Sequence, residues 1–199
     1  MLSIGLTGGL GSGKSLATKF FYEQGANILD ADDIAKTLIE VKPELIEKIK
    51  LEFGDDCYIE GKLQKRVLAQ RAFVSPESTA KLNSISHPAL KDHLEKYIKA
   101  FKAIPGVLIV EAAVLLEAGF QDIFDKTILV TADKNIRVER AFARGDISEK
   151  SIQQRMALQM PEEEKRKLVD LVIENNGDEE LLKMECLKIW NKLRALCIS

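Results

Sequence analysis

The sequence predicts an α/β domain built on a parallel sheet, and three observations predict it. Five short apolar runs (2–7, 26–30, 107–110, 126–131 and 170–173) have the length and composition of buried strands. Helical stretches separate them, which is the order a parallel sheet with crossover helices requires. The first apolar run passes directly into the glycine-rich turn Gly8-Gly9-Leu10-Gly11-Ser12-Gly13-Lys14-Ser15, and helical character resumes at Leu16 and continues to Tyr22.

That turn has Gly8, Gly13, Lys14 and Ser15 at the four positions of a phosphate-binding P-loop, in the required strand–loop–helix context. Consecutive glycines let backbone N–H groups turn inward around phosphate oxygens. A helix opening at Gly13 aims its positive end at the same anion. Lys14 can reach the β- and γ-phosphates of a nucleotide, and the Ser15 hydroxyl can sit on Mg²⁺. The nucleotide-binding set is therefore Gly9, Leu10, Gly11, Ser12, Gly13, Lys14, Ser15 and Leu16, with Ser15 as the metal ligand. The match arises by chance in under about 1% of chains this long.

A chain of 199 residues holds one domain with an insertion, or two small ones. Its 46% hydrophobic and 30% charged residues are ordinary for a soluble globular protein. A net charge of −2, with basic residues spread among acidic ones, points to neither a nucleic-acid nor a membrane partner. Cys57, Cys186 and Cys197 are odd in number, have no metal-ligand spacing, and fit buried thiols in a reduced, cytoplasmic setting. The first apolar run lacks a basic flank, so it reads as a strand rather than a signal peptide, and no run is long enough to span a bilayer.

Gly25 ends the first helix, and the second strand closes on Asp30-Ala31-Asp32-Asp33. Carboxyl ends of parallel strands face the ligand crevice, so these acids arrive where the P-loop does, and Asp32 is the favoured functional one. The third strand, introduced by Pro105-Gly106, begins only at Val107. A βαβ unit takes about 30 residues, so the intervening chain must hold an inserted, mostly helical subdomain. Helical segments are expected at 34–39, after Pro43, at 63–73, from Ser75-Pro76, and again after His87-Pro88 through Phe101. Lys62, Lys65, Arg66 and Arg71 form a basic cluster there, as compatible with a solvated helix face as with phosphate contact. His87 is equally open between capping and substrate contact.

Glu111 ends the third strand, where an acid can join a Mg²⁺ shell or serve a local role. The helix after the fourth strand carries Arg137, Arg140 and Arg144 on one face, with Ile136, Val138, Ala141 and Phe142 as its expected packed face. With Gly145-Asp146 and Arg155 following, the arginines suggest a phosphate-clamping lid over about 140–156. The fifth strand ends in Glu174-Asn175-Asn176-Gly177. In the last helix Leu182, Cys186, Ile189, Trp190, Leu193 and Cys197 form a core stripe.

Together these segments resemble the dephospho-coenzyme A kinases. The resemblance is carried by 5–15, Asp30-Ala31-Asp32, 63–73, His87-Pro88, Leu115-Leu116-Glu117, the arginines from Arg140 to Arg155 with Gln159, and Asn175-Asn176-Gly177. It implies a P-loop kinase fold with a five-stranded parallel sheet flanked by helices. The nucleotide core would be residues 1–31 and 104–199, and a helical coenzyme A-binding subdomain would be residues 32–103. It further implies ATP- and Mg²⁺-dependent phosphorylation of the ribose 3′-hydroxyl of dephospho-coenzyme A, by a cytoplasmic monomer or weak homo-oligomer. Asp32 matches the family's catalytic aspartate. Arg140 and Arg144 match its lid arginines, acting with Lys14. Asn175 and Asn176 fall where adenine is expected, and Lys65, Arg66, His87 and Leu115 fall among substrate contacts. Many members have Asp at Glu111, Pro at Ala113 and Arg at Lys65. The other readings are a nucleoside monophosphate kinase and a nucleotide switch without transfer chemistry. The insertion length disfavours the first, and the pairing of Asp32 with an arginine lid disfavours the second.

Overall fold

A computed structural model describes residues 1–143, 145 and 148–196, with the side chains of residues 149 and 150 left aside. In chain order its elements begin with β1 (Leu2–Thr7), α1 (Lys14–Glu23), β2 (Asn27–Asp30), α2 (Ala31–Val41) and α3 (Pro43–Phe53). The short strands β3 (Tyr58–Ile59) and β4 (Lys62–Leu63) come next, then α4 (Lys65–Ala72), α5 (Pro76–Phe101), β5 (Val107–Glu111) and β6 (Lys126–Thr131). Helices α6 (Lys134–Ala143), α7 (Glu149–Ala157) and α8 (Glu162–Leu168), then β7 (Leu171–Glu174) and α9 (Glu179–Leu196), complete the order. By compactness the chain divides into Met1–Asp30 with Ile98–Ser199, and Ala31–Tyr97.

The first unit is organised by a five-stranded sheet of order β2-β5-β1-β6-β7. Every pairing in it is parallel. Central position explains why β1 is closed to solvent on both faces: Ile4 and Leu6 are wholly buried, and Ser3 and Thr7 nearly so. Helix α1 turns Phe20 and Phe21 into the core, where they meet the Leu182, Cys186, Ile189, Trp190 and Leu193 stripe of α9. Phe21 and Trp190 stand 6.3 Å apart, tilted by 46°. Burying one such side chain contributes roughly 1.5–3 kcal/mol, so these two aromatics are substantial contributors among the many residues of this core. Cys197, expected to end the stripe, lies outside the described residues.

Register places the strand ends that matter at one edge. Leu6 and Asp30 both pair with Glu111, and Thr131 pairs with Glu174. The loop leaving β1 therefore emerges beside Glu111, as the carboxyl-edge rule for open parallel sheets expects.

The second unit has its own small core of Ile49, Phe53, Cys57, Tyr58, Leu68, Ala72 and Leu82. Tyr58 donates from its hydroxyl to the Ile39 carbonyl at 2.7 Å, and burial pushes its pKa up to about 12. The hairpin β3–β4 was not expected in a helical insertion. Its two-residue turn is Glu60-Gly61, both at positive φ (51° and 75°), the geometry that hairpins favour. The expected break at His87-Pro88 is also absent: Pro88 sits inside the continuous helix α5. An interior proline costs about 3 kcal/mol, and burial of Leu82, Leu90 and Leu94 along the same helix offsets it.

The expected packed face of α6 differs as well. Arg137 and Ala141 are its buried residues, while Phe142 is 60% exposed. Apolar character alone pointed to Phe142; an ion pair decided the matter for Arg137.

Candidate active site

The P-loop runs from the end of β1 into α1, whose N-cap Gly13 adopts the left-handed φ of 90°. Its glycines are required by close approach. A Cβ on Gly11 would lie 2.1 Å from the Arg137 carbonyl oxygen, at a φ of 78°. One on Gly9 would lie 2.2 Å from Arg137 Nη1, and one on Gly13 would lie 2.1 Å from Asn175 Nδ2. The loop is closed by Ser12 N–H donating to the Gly9 carbonyl at 3.1 Å. Leu16 begins the packing of α1 on the core.

Lys14 and Ser15, the first two residues of α1, converge on one carboxylate. Lys14 Nζ lies 2.6 Å from Glu111 Oε1, and Ser15 Oγ donates to the same oxygen at 3.3 Å. Burial works to raise the Glu111 pKa, but hydrogen bonds from Lys14, Thr18 and Ser15 outweigh it and hold the carboxyl below its ordinary 4.5. Glu111 is therefore ionised at neutral pH. Among the described residues no group of three or more His, Cys, Asp or Glu is arranged to hold a metal. The hydroxyl of Ser15 and the carboxylate of Glu111 are hard oxygen donors, the kind Mg²⁺ takes alongside phosphate oxygens and water.

The β7 exit supports the loop from the other side. Asn175 is buried, and its Nδ2 donates to the Ser12 carbonyl at 2.8 Å while its own N–H donates to the Thr131 carbonyl at 2.7 Å. Asn176 is exposed and exchanges hydrogen bonds with Asp133, accepting from its N–H at 2.8 Å. Arg140, expected to clamp phosphate, donates to the carbonyls of Asn175 and Gly177, both at 2.7 Å. In this arrangement it braces the 175–177 turn. Arg144, its expected partner, lies outside the described residues, as does Asp146.

Leu115, expected at the substrate, is 1% exposed. Its Cδ1 would be 2.7 Å from a Cβ on Gly5 and Phe124 Cδ2 would be 2.6 Å from it, so these two side chains together fill the space that glycine leaves in β1. In the second unit Asp32 is half-buried in the first turn of α2, two residues past the end of β2. Its neighbour Asp33 is exposed and paired with Lys36 at 2.6 Å. Lys65 pairs with Glu40 at 2.8 Å, and Arg66 is exposed beside it. Arg71 is used structurally: it makes a bidentate pair with Asp56 at 2.6 and 2.7 Å. His87 is half-buried within α5, and burial lowers its pKa below 6.5.

Of three further P-loop neighbours, Arg137 reads from sequence as a lid-helix arginine and Gln159 as part of the family resemblance, while Glu162 carries no signal. Arg137 Nη1 pairs with Glu162 Oε1 at 2.7 Å beneath Gly9, with side chains only 10% and 17% exposed. Glu162 Oε2 also accepts from Thr131 Oγ1 at 2.5 Å. Gln159 Oε1 accepts from the Leu10 N–H at 3.0 Å. Nothing local in the sequence links these residues to a loop more than a hundred positions earlier. No helix among the described residues is long and apolar enough to cross a membrane.

Comparison with known proteins identifies the family and the fold. A family model described as Dephospho-CoA kinase matches residues 2–180. A dephospho-CoA kinase from Corynebacterium diphtheriae is 37% identical over 194 residues, covering 96% of this chain and 97% of the relative. A crystal structure from Thermus thermophilus superposes with a TM-score of 0.79 at 32% identity, covering 96% of this chain and 97% of that one. The dephospho-CoA kinase of Campylobacter jejuni has the same fold, with a TM-score of 0.73 at 22% identity and 96% coverage of both chains.

Proposed function

We propose a residue-level mechanism for this chain, which belongs to the dephospho-CoA kinase family. The protein is a kinase that phosphorylates dephospho-CoA, the last step of CoA synthesis. The observation that carries the assignment of roles to residues is the convergence of Lys14 and Ser15 on Glu111 at the mouth of the P-loop.

ATP is the phosphoryl donor, held by the P-loop N–H groups and by Lys14. The ammonium of Lys14 is balanced by Glu111, and the β- and γ-phosphate oxygens of ATP compete with that carboxylate for it. Ser15 and Glu111 would hold Mg²⁺, which offsets charge on the phosphates. The acceptor is the ribose 3′-hydroxyl of dephospho-CoA, and residues 32–103 form the subdomain that holds it. Asp32 orients that hydroxyl and accepts its proton. The half-burial of Asp32, against the exposed Asp33, supports this choice. Because phosphoryl transfer passes through a loose transition state, the gain from Asp32 lies chiefly in aligning the attacking oxygen. Lys65, Arg66 and His87 are substrate contacts in this reading.

The reading is tested by incubating the protein with ATP and a panel of acceptor alcohols and identifying products by mass spectrometry. A product one phosphoryl group heavier than dephospho-CoA is expected. Phosphorylation of a nucleoside monophosphate alone would reverse the assignment.

A further inference from the structure

We propose that Gln159 is a positioning residue for phosphoryl transfer: its carboxamide oxygen holds the Leu10 N–H and thereby fixes the tip of the P-loop. The inference rests on the ATP-binding reading of that loop. A cradle of backbone N–H groups stabilises phosphate only if the groups stay aimed, and glycines at 8, 9, 11 and 13 make the isolated segment unusually loose. Side chains from distant elements must supply the missing stiffness. Asn175 holds the far end at Ser12, 163 residues away. Arg137 and Glu162 pack under the near end at Gly9. Gln159 holds the residue between, Leu10, at 3.0 Å across 149 residues.

A brace is useful only if its own base is rigid, and the segment from Gln159 to Lys165 is anchored repeatedly. Gln159 N–H donates to the Met156 carbonyl at 3.2 Å, and Met160 N–H donates to Glu117 Oε1 at 3.0 Å. Glu162 is held by Thr131 and Arg137. Lys165 is fully buried, with its ammonium 3.0 Å from Glu117. Gln159 thus joins a fixed base to a pliable loop.

The residue type has a chemical reason. The Leu10 N–H needs an acceptor, which excludes lysine, arginine and apolar side chains. A carboxylate would accept, yet it would place a negative charge beside the site for a polyphosphate. A carboxamide accepts without charge, and glutamine has the required reach.

Gln159→Leu and Gln159→Glu separate these elements. For Gln159→Leu, kcat is expected to fall about 10- to 100-fold, with KM for dephospho-CoA within about twofold, because loss of alignment acts on the transition state. Gln159→Glu keeps the acceptor, so its kcat stays nearer that of the parent. Its KM for ATP rises about tenfold at low ionic strength and relaxes toward the parent value in high salt. Parent-like kcat in the leucine variant, or equal loss of thermal stability in both variants with unchanged kcat and KM, would overturn the proposal. Titration of ATP into each variant separates the two readings. If the parent binds ATP but does not phosphorylate dephospho-CoA, the acceptor assignment fails. The salt-sensitive weakening of ATP binding by Gln159→Glu then still decides the role of Gln159.

Discussion

Lys14 Nζ and Glu111 Oε1 form a 2.6 Å ion pair between the first turn of α1 and the end of β5, with side chains only 13% and 12% exposed. The cation that a P-loop offers to phosphate is thus already balanced within the protein. Removing one partner of a buried pair leaves the other charged and unsolvated, at a cost of about 3–5 kcal/mol.

Glu111→Ala should therefore lower the stability of the nucleotide-free protein by about 3 kcal/mol. Saturating ATP should restore much of it, because phosphate oxygens supply the lost counter-charge. Thermal unfolding with and without ATP checks this: the ATP-induced rise in Tm is expected to be larger in the variant than in the parent. Equal rises would show that Lys14 does not exchange Glu111 for phosphate. The folded carboxyl titrates below 4.5, so its contribution is present above that pH and is lost only as acid passes through the lower folded value.

Asp32→Asn tests the acceptor-orienting role. The substitution keeps size and hydrogen-bonding reach but removes the proton acceptor. Turnover should fall about 10²- to 10⁴-fold while ATP binding, measured by titration, stays within a few-fold of the parent. Near-normal turnover would remove Asp32 from the mechanism.

Arg140→Ala distinguishes a brace from a phosphate clamp. Arg140 donates to two carbonyls of the 175–177 turn, so its loss should reduce the stability of the nucleotide-free protein by about 2 kcal/mol. It should also loosen Asn175 from Ser12 and weaken ATP binding. Urea unfolding of the nucleotide-free variant gives the answer. An unchanged midpoint, together with a large loss of kcat, would assign Arg140 to the transferred phosphoryl group instead.

His87 makes stability depend on pH. Burial lowers its folded pKa beneath 6.5, so below about 6.5 the unfolded chain takes up a proton that the folded chain does not. Stability should fall as pH drops from 6.5 toward the lower folded value, and this contribution should be flat above 6.5. Urea unfolding at about pH 7.5 and about pH 5.5 measures the fall, and His87→Gln should diminish it. The same slope in both proteins would place its origin elsewhere.

Much of the fold was legible because its signals are local. Strand composition at 107–110 and 126–131, the glycine spacing of 8–13, and the α9 stripe from Leu182 to Leu193 each depend on residues within a few positions of one another. Some local signals misled or passed unread. Pro88 promised a helix boundary that core burial along α5 overrode, Phe142 promised burial that Arg137 took, and Glu60-Gly61 closed a hairpin within an expected helical insertion.

By itself, the sequence determined the phosphate-binding loop and the parallel α/β architecture, since each depends on short-range pattern and on strand order; it singled out Asp32 as the candidate the Asp32→Asn measurement tests. Only the tertiary structure decided which partners the side chains around the loop meet. Arg140 and Asn175 act on backbone carbonyls, Leu115 and Phe124 fill the space over Gly5, Glu111 holds Lys14, and Gln159 holds Leu10. The physical reason is that a side-chain hydrogen bond or ion pair is satisfied by whichever group the register of distant elements brings within about 3 Å. For this loop those partners lie about a hundred or more residues away in the chain.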